Sequence, residues 1–173
     1  YLWVWKDKYF IAIEPYSGSI SPDDVTFIGT VITGNISSGK VSLPAILKYL
    51  PDDGYVQGST RYFHKKIILD NLYISDRFID KNVFNLSEQT DAVVADYKSA
   101  ESSSPFKMLI VEYADKQLAL ESLNNFAELR ESWGENSLKT GSVHTFEDLK
   151  GRFSSVACVN NTIISTFFVE TRE

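Results

Sequence analysis

At 173 residues, with 43% hydrophobic and 13% aromatic side chains, the chain is large enough for one ordinary domain with its own core. Its formal net charge of −6, with Lys65-Lys66 as the single adjacent basic pair, argues against a nucleic-acid partner, which needs clustered cations. No apolar run approaches the roughly 18 residues of a membrane span, and the one cysteine, Cys158, excludes an internal disulfide.

The chain starts at Tyr1, inside a strand-like pattern. It reads as a single domain over residues 1–173, a fragment of a longer protein or a processed form. Tyr1 to Glu14 alternates around the polar turn Lys6-Asp7-Lys8, which predicts a hairpin. Ser21-Pro22-Asp23-Asp24 is a helix start, with an N-cap serine, proline in the first turn and two acids at the positive end of the dipole. Val25, Ile28, Val31 and Ile32 supply a helical stripe, although Thr26, Gly29, Thr30 and Thr33 leave a strand open. A Gly/Ser loop, 34–42, is followed by a short helix from Pro44 to Leu50, ended by Pro51.

Arg61 to Ile74 reads as extended, with a turn at Asp70-Asn71. Strands are expected over Asp91 to Tyr97 and Phe106 to Tyr113, joined by the polar loop Lys98 to Pro105. Asp115 to Arg130 is the clearest helix: Asp115 caps it, and Ala119, Leu120, Leu123, Phe126 and Ala127 form one apolar face. Glu121, Asn124, Asn125 and Glu128 occupy the other face, and Trp133 packs under the helix end. Phe153 to Val159 and Thr162 to Glu170 form a hairpin over Asn160-Asn161. The order predicts an α+β fold, an antiparallel sheet with helices packed on one face. The first and last hairpins share one plan, which suggests two pseudo-repeated halves, 1–97 and 98–173; coincidence between ordinary hairpins explains it equally.

Gly34 to Lys40 has the spacing of a phosphate-binding loop, and Ile67 to Asp70 mimics the accompanying acidic strand. Val41 stands where a hydroxyl should ligate magnesium, so a plain connection is preferred. Ser59, Arg61 and His64 offer a hydrolytic cluster, but they lie on one local segment without a nucleophile elbow. His64 and His144 are isolated, so neither a metal site nor a cofactor is expected. Cys158 lies between Ala157 and Val159 and reads as a buried structural thiol. The pairs Asp23-Asp24 and Asp52-Asp53 are explained by a helix start and a turn. Trp3 and Trp5 share a strand face, read as core rather than as a stacking surface.

Leu50 to His64, LPDDGYVQGSTRYFH, crowds turn formers, aromatics and polar groups together. The run Leu50-Pro51…Gly54-Tyr55-Val56-Gln57-Gly58-Ser59…Arg61-Tyr62-Phe63 resembles a family of bacterial secreted domains without assigned function. So do Asn71-Leu72-Tyr73, the Thr90…Tyr97 strand and the Glu112-Tyr113 to Phe126 strand and helix, and the likeness spans most of residues 44–130. It implies an α+β domain in an exported protein, located in the periplasm or cell envelope, and carries no catalytic residue.

The expectation is a non-catalytic, extracytoplasmic domain that binds a protein, a glycan or another small ligand, with Arg61, Tyr62 and His64 as candidate ligand-binding residues. The first alternative is a phosphate-handling or hydrolytic enzyme using Lys40 or the Ser59/Arg61/His64 cluster. The second is a structural module of a larger envelope protein.

Overall fold

A computed structural model describes residues 2–6, 9–14, 20–37, 42–72, 74, 79, 81–100 and 104–170. The chain divides into two compact units, Tyr1–Ala45 and Ile46–Glu173. Residues 97 and 98, where the sequence admits a division, lie inside the second unit.

In the first unit, β1 (Leu2–Lys6) and β2 (Tyr9–Ile13) pair antiparallel, with Leu2 opposite Ile13 and Val4 opposite Ile11. Helix α1 (Pro22–Gly34) starts where expected, Ser21 Oγ accepting the Asp24 N–H at 3.1 Å. The threonines that weakened the helical reading return their hydroxyls to carbonyls one turn back: Thr26 to Pro22, Thr30 to Thr26 and Thr33 to Gly29, at 2.8–2.9 Å. The buried face differs from the expected stripe. Val25 and Gly29 are buried, whereas Val31 and Ile32 are exposed together with Phe27. Gly29 is what admits the Leu2 side chain, since a Cβ there would stand 2.5 Å from Leu2 Cδ2. Trp3 is exposed rather than core; the Trp5 side chain lies outside the described residues.

The second unit is an antiparallel seven-stranded sheet in the order β3-β4-β5-β9-β8-β7-β6. The strands are β3 (Arg61–Phe63), β4 (Asp91–Tyr97), β5 (Phe106–Glu112), β6 (Asn136–Thr140), β7 (Val143–Glu147), β8 (Phe153–Val159) and β9 (Thr162–Val169). With α2 (Lys66–Asp70) and α3 (Lys116–Ser132) this makes the α+β architecture read from the sequence. Strand alternation sorts the side chains into two layers. Ala92, Val94, Leu109, Val111, Val156, Ile163 and Phe167 meet Ala119, Leu123, Phe126 and Ala127 of α3 and Leu69 of α2 in the main core. On the opposite face Val93 and Ile110 meet Ile46 of a short 3-10 helix, Ala45–Tyr49. Central strands β4 and β5 are therefore apolar on both faces.

Two local expectations are corrected. Arg61 to Ile74 is not continuously extended: β3 stops at Phe63 and α2 follows, its turn closed by Lys66 Nζ donating to Asp70 at 2.6 and 2.8 Å. Between α3 and the last hairpin the chain builds another, β6–β7. Asn160 at the β8–β9 turn carries a φ of 56°, the left-handed geometry that asparagine tolerates.

Candidate functional site

Residues 51–61 are consumed in fastening one end of β4. The Gly54 carbonyl accepts the Lys98 N–H at 2.8 Å, and the Val56 N–H donates to Asp96 O at 2.9 Å. Gly54 has a φ of +72°, and a Cβ on it would fall 2.2 Å from Lys98 O. The Ser59 hydroxyl donates to Val56 O at 2.7 Å and accepts the Asp96 N–H at 2.9 Å. Tyr97 donates to Pro51 O at 3.0 Å. Arg61 Nη1 donates to Gly58 O at 3.0 Å and Thr60 O at 2.8 Å, so its guanidinium braces the turn that launches β3.

Tyr62 and His64 meet at the other end of β4. Tyr62 Oη donates to Asp91 Oδ1 at 2.5 Å, and its ring lies 4.9 Å from the imidazole in an edge-on arrangement. Burial, then the bond to and charge of Asp91, push the Tyr62 hydroxyl well above the usual tyrosine range, so it stays protonated as a donor. His64 Nδ1 lies 2.5 Å from the Thr90 carbonyl and 3.6 Å from Asp91 Oδ1. A carbonyl only accepts, so Nδ1 carries the hydrogen and Nε2 is the ring's remaining polar atom. Beside it, hydrogen bonding and charge from Lys65, at 3.0 Å, hold the Glu88 carboxyl below its usual range, with His64 adding to the effect. Glu112 stands directly opposite Asp91 on β5.

The structure thus brings Tyr62 and His64 together and leaves Arg61 and Ser59 apart from them. Arg61 points to the sheet face opposite Tyr62, because successive strand residues alternate. Ser59 is bonded at Asp96 while His64 is bonded at Thr90, a separation along β4 of roughly 17–20 Å at the usual rise per residue. The Ser59/Arg61/His64 hydrolytic cluster is therefore not assembled. Lys40 lies outside the described residues, and Gly34 is the last residue of a helix rather than the end of a strand, unlike a phosphate loop. Among the described residues no three His, Cys, Asp or Glu side chains stand as a metal-binding group. Cys158 is half-buried, its thiol directed to Asn160 O at 3.5 Å and pushed up in pKa by burial. His144, pushed down by burial and by Lys139, stacks on Phe146.

A different place has polar groups to spare. Lys81, Asn82 and Val83 face Asn125, Glu128, Leu129 and Ser132 of α3 across a cleft of about 390 Å³. The helix side follows from spacing, since i, i+3, i+4 and i+7 share one face. The opposite wall is fixed by Asn82, whose Oδ1 accepts the Leu86 N–H at 3.0 Å and whose Nδ2 donates to Leu86 O at 2.9 Å. Val83 is buried in the main core and anchors that wall, while Leu129 packs on the core from the helix side. Among the described residues, Lys81, Glu128 and Asn125 make no ion pair or side-chain hydrogen bond. Sequence reading placed Asn125 and Glu128 on the polar face of α3 but had no reason to single them out. Their partner wall is distant in sequence and carries no motif.

Among the described residues no helix is long and apolar enough to cross a membrane. The chain matches no protein-family model, no curated protein and no solved structure.

Proposed function

We propose that this chain is a non-catalytic ligand-binding domain of an exported bacterial protein, with its site in the cleft between residues 81–83 and α3. The observation that carries the reading is the set of uncommitted polar groups, Lys81, Asn125 and Glu128, around one concavity of about 390 Å³. That volume falls within the roughly 300–1,000 Å³ of small-molecule sites. Ser59, Arg61 and Tyr62, by contrast, are hydrogen-bonded within the fold. Among the described residues, the cleft lining contains neither a nucleophile paired with a base nor a set of metal ligands, which supports binding without chemistry. The exported setting follows the resemblance of Leu50 to Phe63 to secreted bacterial domains.

The test is ligand-observed NMR against mixtures of amino acids, dipeptides, monosaccharides and nucleotides, with the wild type and a Ser132→Trp variant run in parallel. Ser132 is exposed on the cleft wall, so the indole fills the concavity without entering the core. Binding by one ligand class in the wild type and its loss in Ser132→Trp is the expected result. Equal binding by both proteins, or none by the wild type, would sink the proposal.

A further inference from the structure

We infer that the cleft's ligand is a small zwitterion of the amino-acid or dipeptide class, held by its carboxylate at Lys81 and its ammonium at Glu128. This rests on the cleft being the binding site. One cation and one anion face the same concavity from opposite walls, Lys81 beside Asn82 and Glu128 on α3. Among the described residues neither is in an ion pair, with the other or with any third group. Each is left facing the space between the walls.

A charge pair held apart selects by complementarity. A phosphorylated ligand satisfies Lys81 but meets Glu128, and a polyamine satisfies Glu128 but meets Lys81. A neutral sugar uses the charges only as hydrogen-bonding groups and gains nothing from their opposite signs. A zwitterion answers both at once, and linking the two contacts through one small molecule makes the second intramolecular. Asn125, half-buried one helical turn before Glu128, offers an amide donor and acceptor to the ligand's polar backbone. Val83 and Leu129 give an apolar side chain a place to lie.

The experiment is calorimetric titration at low salt with leucine and glycyl-leucine as probes. N-acetyl-leucine, which lacks the ammonium, leucinamide, which lacks the carboxylate, and glucose serve as comparisons. Leucine or glycyl-leucine is expected to bind, and N-acetyl-leucine and leucinamide each to bind at least tenfold more weakly. Lys81→Ala and Glu128→Gln should each lose a comparable factor. The charge swap Lys81→Glu/Glu128→Lys should recover most of it with the ligand reversed, an outcome that neither a phosphate site nor a sugar site would give. Equal binding of leucinamide or N-acetyl-leucine, or failure of the swap to rescue, overturns the zwitterion assignment. Binding of glucose alone, lost in Ser132→Trp, overturns it too while leaving the cleft as a binding site. Failure of every probe and of every class in the wider NMR screen overturns the binding-site reading itself.

Discussion

Two faces of α3 carry polar groups on opposite terms. On the inner face Arg130 is 3% exposed, lies 5.6–5.7 Å over the rings of Phe126, Trp133 and Phe146, pairs with Glu135 at 2.5 Å and donates to Ser154 Oγ at 3.3 Å. Burial pulls its pKa down and Glu135 opposes the pull, so the guanidinium stays charged because its partner is enclosed with it. On the cleft face Glu128 and Asn125 have no ion pair or side-chain hydrogen bond among the described residues. The inner grouping is closed and contributes to specifying the core. The outer grouping is open, which makes it the better candidate for recognition.

Breaking the closed grouping should give the largest effect. Arg130→Met takes the buried guanidinium from the Glu135 carboxylate and should cost roughly 3–5 kcal/mol in urea unfolding, while Arg130→Met/Glu135→Leu should recover most of that loss. A single-variant cost below about 1 kcal/mol would mean that the inner face is wet, and the contrast between the faces would fail.

The fastening at the Gly54 end of β4 is closed in a different way, by backbone geometry. Gly54→Ala places a Cβ 2.2 Å from the Lys98 carbonyl at a φ of +72°, so clash and left-handed strain act together. The expected loss is about 3 kcal/mol, measured by thermal and urea unfolding. A variant as stable as the wild type would show that residues 51–60 are not held to β4 as described.

A third closed grouping is titratable. Burial would raise the Asp148 carboxyl, but the backbone N–H and guanidinium of Arg152 and the N–H of Lys150 outweigh it and hold the pKa below the ordinary value. A depressed folded pKa adds stability that is fully present above the unfolded value, about 3.9, and is lost as pH falls through the folded value. Asp148→Asn should therefore cost about 1–2 kcal/mol at pH 7, and the difference from wild type should shrink on acidification. A pH-independent difference would assign the effect to something other than this carboxylate's charge.

The parts of the molecule specified by local sequence are its legible parts, for a physical reason. Ser21 and Asp115 announce their helices because caps are local, and Asp91–Tyr97 and Phe106–Glu112 read as strands because buried β-branched runs are dense. Helix α2 was hidden because Ile67-Ile68-Leu69 looks extended, yet only Leu69 is buried and Lys66–Asp70 closes the turn. Strand β6, wholly exposed, has no alternation to read. Arg130 and Ser122 break the apolar pattern of α3 from inside, and only the tertiary partners explain the arginine. Of the candidate site, Arg61, Tyr62 and His64 stand out by composition, and their hydrogen bonds lie at the two ends of β4. The cleft was unreadable because its walls come from separate segments and its lining residues are ordinary singly.

The smallest expected effect is the most discriminating. If the cleft face is open, Lys81→Ala and Glu128→Gln remove no partner from anything buried, and each should change unfolding free energy by less than about 0.5 kcal/mol. The same variants should weaken ligand binding about tenfold, about 1.4 kcal/mol. A residue spent on the fold behaves the other way round: Asn82→Ala, which breaks both bonds to the Leu86 backbone, should lower stability by about 1–2 kcal/mol. Measuring stability and binding on these three variants therefore separates recognition from architecture within one cleft. If Lys81→Ala or Glu128→Gln destabilised as much as Asn82→Ala, the two charges would belong to the fold, and both faces of α3 would be closed.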